Sequence, residues 1–102
     1  MLELRPNCEL CDKDLPSAAG DARICSYECT FCSACADDVL HDVCPNCGGG
    51  FQARPIRPRN AWRDGTGLVN DPASETRHRS SYSRDEIAAF VGTIRTLPPA
   101  ER

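Results

Sequence analysis

Only the last part of this chain carries a clear hydrophobic period. From Ser83 onward Ile87, Phe90, Val91, Ile94 and Leu97 recur at spacings of three and four, one apolar stripe along a helix. Ser83-Arg84-Asp85-Glu86 fits a capping box, in which the Ser83 hydroxyl accepts the Glu86 N–H and the Glu86 carboxylate accepts the Ser83 N–H. The pattern predicts a C-terminal amphipathic helix over residues 83–97, stopped by Pro98 and Pro99. A lone helix of about 14 residues is marginal in water. It therefore needs a surface: its own N-terminal half, a second copy in a homodimer through residues 83–97, or a partner helix.

Before Ser83 the pattern changes character twice. Residues 51–59, FQARPIRPR, read as an extended segment, because Pro55 and Pro58 exclude both a helix and a central strand. Residues 60–82 are rich in Gly, Ser, Asp and Asn and read as a linker or adherent loop. There Trp62, Leu68 and Val69 either fold back on the N-terminal half as a satellite contact or stay free. Residues 1–50 have no sustained period, and their large apolar side chains (Leu2, Leu4, Leu10, Leu15, Ile24 and a few more) are too few for a self-sufficient core.

What residues 1–50 do have is cysteine, eight in all between Cys8 and Cys47. Met1–Leu10 contains no apolar run of signal-peptide length, and no stretch is apolar enough to span a membrane. A cytoplasmic location is expected, where thiols stay reduced and metal thiolates are favoured over disulfides. Charge is also divided. Residues 1–50 hold nine acids against three bases, a formal −6, and residues 51–102 hold nine arginines against six acids, a formal +3. Eight thiolates with two zinc ions would take the first half to about −10, a field that repels nucleic acid. Eleven arginines against one lysine point to a GC-rich genome and a bacterial source.

The cysteines fall into pairs. Cys8/Cys11, Cys32/Cys35 and Cys44/Cys47 have the C-x2-C spacing of a zinc knuckle, and Cys25/Cys29 has three residues between. Two pairs make one tetrahedral thiolate site, so four pairs imply two Zn2+ ions, with one zinc plus free thiols as the structural alternative. Spacing alone does not choose among the three ways of combining the pairs. Cys25-x3-Cys29-x2-Cys32 also matches the spacing of radical enzymes that use S-adenosylmethionine, but 102 residues cannot build the barrel those enzymes need. Ferredoxin spacing is different again.

The pattern C-x2-C-x13-C-x3-C-x2-C-x2-C-x8-C-x2-C, with Leu10, Phe31 and Pro45 beside ligands, resembles a RING-type zinc finger. The resemblance implies a small zinc-stabilised α+β fold, a cross-braced two-zinc module of short hairpins and one short helix within residues 34–42. It also implies shared ligands: Cys8, Cys11, Cys32 and Cys35 on site 1, and Cys25, Cys29, Cys44 and Cys47 on site 2. The chain departs from that family where function is concerned. Its fourth ligand is Cys29 rather than the frequent histidine, and Gly48-Gly49-Gly50 stands where active ubiquitin ligases carry an arginine. Ubiquitin-ligase activity is not expected. MLELRPNCELCDKDLP, ARICSYECTFCSAC and CPNCGG further resemble a family of small bacterial proteins defined as a cysteine-rich domain of unknown function.

Other chemistry is thin. His41 reads as a helix-surface residue and His78 has no evident partner. Asp12, Asp14, Asp37 and Asp38 read as a solvated face or helix caps rather than general acids. With every cysteine at ligand spacing, no free thiolate remains for a Cys–His catalytic pair. The sequence therefore predicts residues 1–50 as a two-zinc module, 51–82 as extended segment and linker, and 83–97 as a helix. The whole reads as a non-enzymatic module that binds a protein. One alternative is a redox- or zinc-responsive regulator acting through thiolates such as Cys25 and Cys29. The other is nucleic-acid binding through Arg54–Arg63, where four arginines accompany Trp62.

Overall fold

The computed structural model describes all residues, 1–102. Three short strands form its only sheet: β1 (Ala22–Ile24), β2 (Thr30–Cys32) and β3 (Gln52–Ala53), all antiparallel in the order β2-β1-β3. The β1–β2 hairpin is closed by Cys25 N–H donating to Cys29 O at 3.2 Å, leaving the loop Ser26-Tyr27-Glu28. Glu28 sits at φ +69°, the left-handed residue that ends a three-residue hairpin loop. The x3 spacing of Cys25 and Cys29 is thus a hairpin geometry, whereas the x2 pairs are knuckles. β3 lies at the sheet edge, where the following Pro55 removes no ladder bond.

After β2 the chain turns through Ser33 and Ala34 into a single π-helical turn, Cys35–Val39, in which Leu40 N–H donates to Cys35 O at 2.9 Å. Asp37 and Asp38 are exposed on its first turn, as the sequence suggests. Between this turn and the sheet lies the core. Phe31, Leu40 and Val43 are fully buried, and Phe51 meets Phe31 edge to face with ring centroids 5.3 Å apart. Phe51 closes the core from beyond residue 50, so the sheet and core draw on residues 51–54.

Helix α1 (Arg84–Ile94) has Ser83 as its N-cap with both capping-box hydrogen bonds in place. Its surface is the chain's own module. Ile87 and Val91 are buried in the core, while Phe90 and Ile94 lie over Gly48, which sits at φ +82°. The helix stops at Arg95, before the predicted end at Leu97. The approach to Pro98 breaks the ladder, and Leu97 N–H bonds Ile94 O in a turn. Leu97 is left exposed. A 3-10 turn, Pro99–Glu101, follows, and the Arg102 guanidinium returns to the carbonyls of Asp42 and Gly48 at 2.8 and 2.9 Å.

Residues 54–57 and 74–80 of the segment between β3 and α1 are bound along the module rather than loose. Arg54 is buried, donating to the carbonyls of Arg5, Leu15 and Pro16 at 2.7, 3.1 and 2.9 Å. Burial lowers its pKa from the usual guanidinium value, against a smaller opposing pull from the Asp21 carboxylate. Arg57 donates to Leu2 O and Asp71 O. Residues 74–80 then run beside residues 4–9, with backbone N–H groups of Ser74, His78 and Ser80 donating to Leu4 O, Asn7 Oδ1 and Glu9 O. Replacing Arg54 by Ala leaves the carbonyls of Arg5 and Leu15 without a donor, Pro16 O keeping the Ala19 N–H, and is expected to cost about 1–3 kcal/mol. Urea unfolding of the metal-loaded chain checks this, and a midpoint equal to wild type would refute it.

Candidate metal centres

The three C-x2-C pairs use two local devices. In Cys8–Asp12 and Cys44–Gly48 the residue after the second cysteine is left-handed (Asp12 φ +67°, Gly48 φ +82°) and its N–H donates to the first cysteine's carbonyl, at 2.9 and 2.7 Å. Asp and Gly are residues that tolerate this region. The turn aims backbone N–H groups at sulfur: Gly49 N–H reaches Cys47 Sγ at 3.4 Å, and in the hairpin loop Tyr27 N–H reaches Cys25 Sγ at 3.3 Å. Cys32 and Cys35 are placed differently, by the end of β2 and the first π-turn residue.

The strand decides where the ligands go. Cys29 immediately precedes β2 and Cys32 ends it, three positions apart, so their side chains leave opposite faces. Cys32 thereby joins Cys8, Cys11 and Cys35, whose four sulfurs all lie within 4.8 Å of one another. On the other side Cys25, Cys44 and Cys47 form a second group at the same limit. Cys29 lies near enough to Cys25 and Cys44 to shift their proton affinities but is not within that limit of all three. Along the chain the two groups alternate: Cys8 and Cys11, then Cys25 of the other group, then Cys32 and Cys35, then Cys44 and Cys47.

Both groups suit a tetrahedral metal. Four thiolates about 2.3 Å from an ion lie about 3.8 Å apart, and Cys11 Sγ and Cys32 Sγ are 3.8 Å apart. All eight cysteines are free thiols. Crowding divides their proton affinities. Hydrogen bonds from the Cys29 and Cys44 thiols hold Cys25 down at about 3, while the Cys25 and Cys29 thiols, with burial, push Cys44 far up. In the first group burial raises Cys8 and Cys35. Cys11 falls below the usual thiol value despite burial, through the Lys13 N–H and the neighbouring thiols. Four thiols this close ionise together only around a cation. Each cluster can hold a metal ion.

Polar residues unsuspected from sequence lock the first cluster's knuckle. Asn7 is fully buried, its amide donating to Cys8 O, Asp12 Oδ1 and His78 O and accepting the His78 N–H. Glu9 is buried against Arg5 at 3.0 Å and accepts the Thr30 N–H. Arg77 forks onto Asp12 and Asp14, lowering the Asp12 pKa, and His78 Nε2 stands 3.5 Å from Glu3. Asn7 and Glu9 flank the first ligand in Asn7-Cys8-Glu9, which is the one sequence signal that marks them. Leu10 packs on the core. His41, at φ +47°, ends the π turn at the half-exposed surface.

Fold and clusters together define a small α+β protein with a three-stranded antiparallel sheet and two cysteine sites able to take metal. The chain belongs to the family described as "Protein of unknown function (DUF1272)", which matches residues 1–57, as its resemblance to a cysteine-rich bacterial family implied. That match runs through β3 and Arg54. The chain is also 62% identical over 77 residues to "Uncharacterized protein R02474" of Rhizobium meliloti (strain 1021), covering 76% of this chain and 84% of that protein. No solved structure matches it. No helix is long and apolar enough to cross a membrane.

Proposed function

We propose that the chain is a non-enzymatic, RING-like zinc module that acts by presenting a rigid surface to a partner protein. Cys8, Cys11, Cys32 and Cys35 hold one Zn2+, and Cys25, Cys29, Cys44 and Cys47 hold the other. The observation that carries this reading is the alternation of the two sulfur groups along the chain. Four thiolates per ion close the coordination shell and leave no position for a substrate, the mark of a structural site. Native mass spectrometry of the purified protein is expected to give two zinc ions per chain, with no visible absorption. Iron with a charge-transfer band, or one zinc with four alkylatable thiols, would refute it.

A thiolate-based redox response is the second reading, favoured by one exposed cysteine in each group, Cys11 and Cys47. Cys25 and Cys29, the thiols the sequence suggested, are buried. Oxidant is therefore expected to reach Cys11 and Cys47 first.

A further inference from the structure

Residues 58–70 form an arm that makes no hydrogen bond to the metal module. Every hydrogen bond of residues 58–70 closes within the arm: Leu68 N–H to Pro58 O at 2.8 Å and Val69 N–H to Arg59 O at 3.3 Å form its stem. Arg57 clasps Asp71 O at its base, and Thr66 and Arg63 bond each other near the tip. Gly67 closes the turn at φ +79°, and a Cβ there would fall 2.5 Å from Asn60 O, so the tip holds one tight shape.

That fixed shape displays the chain's single tryptophan, 78% exposed, between Arg59 and Arg63. Neither guanidinium has a partner within the chain, as holds also for Arg79, Arg84 and Arg95, whereas Arg5, Arg54, Arg57, Arg77 and Arg102 are engaged. Asp64 is the acid at the tip. A hydrogen-bonded loop that keeps an indole in water, with two unpaired arginines within three residues of it in the same short arm, suits something flat and anionic.

We infer that Arg59, Trp62 and Arg63 form a binding site for single-stranded nucleic acid, with a base stacked on the indole and flanking phosphates on the two arginines. Single strands suit the arm because their bases are open to stacking and their phosphates are few at the tip. A duplex would bring a dense row of phosphates against the acidic module, formally −6 over residues 1–50. The site is narrower than the segment Arg54–Arg63 read from sequence, since Arg54 and Arg57 are spent on carbonyls.

Trp62 reports on its own site. Titrating the full, zinc-loaded chain with an oligothymidylate of about ten nucleotides is expected to quench its emission. Two phosphate contacts predict a slope of log K against log salt near about −1.4, an affinity loss of about sevenfold between about 50 and 200 mM salt. Arg59→Ala and Arg63→Ala should each bring the slope to about −0.7. Trp62→Ala, followed by anisotropy of a labelled strand, should weaken binding about fivefold or more. Arg84→Ala, at the start of α1, should change nothing. Zinc content and helicity stay those of the wild type in every variant, so failure here is distinct from failure of the two-zinc reading. Unchanged emission with the oligonucleotide overturns the inference, as does an equal loss in Arg84→Ala. An emission shift with phosphatidylglycerol vesicles but not with the strand would assign the arm to a lipid surface and overturn it equally.

Discussion

Removing the zinc proposed for the two clusters with a strong chelator is expected to unfold this chain, with loss of the α1 helical signal and of any cooperative thermal transition. The sheet supplies strands of three, three and two residues, far below what stands alone in water. Its large buried side chains are few: Leu4, Leu15, Phe31, Leu40, Val43 and Phe51, with Ile87 and Val91 added by α1. A structural zinc in a four-thiolate site contributes about 10–16 kcal/mol at neutral pH, comparable to the whole net stability of an ordinary domain, about 5–15 kcal/mol. α1 goes with the metal because it rests on Gly48, in the knuckle that Cys44 and Cys47 anchor. Far-ultraviolet circular dichroism before and after chelation, with recovery on zinc addition, measures the effect. A chelated chain that keeps its helix and melts cooperatively would show that the apolar core suffices and the clusters are not structural.

Some of this was legible in the residues and some was not, for physical reasons. Helix α1 was legible at its start because capping is local chemistry: Ser83 and Glu86 act within one turn. Its end was less so, since Leu97 continues the apolar stripe while the backbone already bends toward Pro98. The cysteines announce metal by spacing, but spacing does not determine which pairs meet. That depends on strand faces, and the fact that Cys29 and Cys32 flank a strand becomes visible only when β2 pairs with β1. Phe51 and Arg54 sit in a segment whose prolines mark it as extended, and an extended segment reveals nothing of the edge it joins. Asn7 is harder still, because its four hydrogen bonds reach His78, 71 positions away, as well as its own knuckle. The arm is the reverse case. Trp62 and the arginines are plain in the sequence, and only the structure separates the engaged Arg54 and Arg57 from the unpartnered Arg59 and Arg63.

Cys29→Ser and Cys32→Ser, three positions apart, are expected to empty different sites. In Cys29→Ser the zinc count falls to one per chain, and Cys25, Cys44 and Cys47 become rapidly alkylated while Cys8, Cys11, Cys32 and Cys35 stay protected. In Cys32→Ser the protection is reversed: Cys8, Cys11 and Cys35 react, and the second group holds. Each loss spreads to the part of the C-terminal half that the cluster supports. The Cys44–Gly48 knuckle carries α1, so Cys29→Ser speeds amide exchange in residues 84–94. The Cys8–Asp12 knuckle carries residues 77–80 through Asn7, Glu9 and the Arg77 fork, so Cys32→Ser speeds exchange there instead. Pulsed alkylation with peptide mass mapping reads the first effect and hydrogen exchange the second, early enough in time to order the sites even where both eventually open. Sequential pairing would give another fingerprint: Cys29→Ser would expose Cys8, Cys11 and Cys25 and leave Cys44 and Cys47 protected. That result would refute cross-bracing while leaving the zinc count unchanged, which is why the pattern of reactive thiols, rather than the metal content, decides between the two.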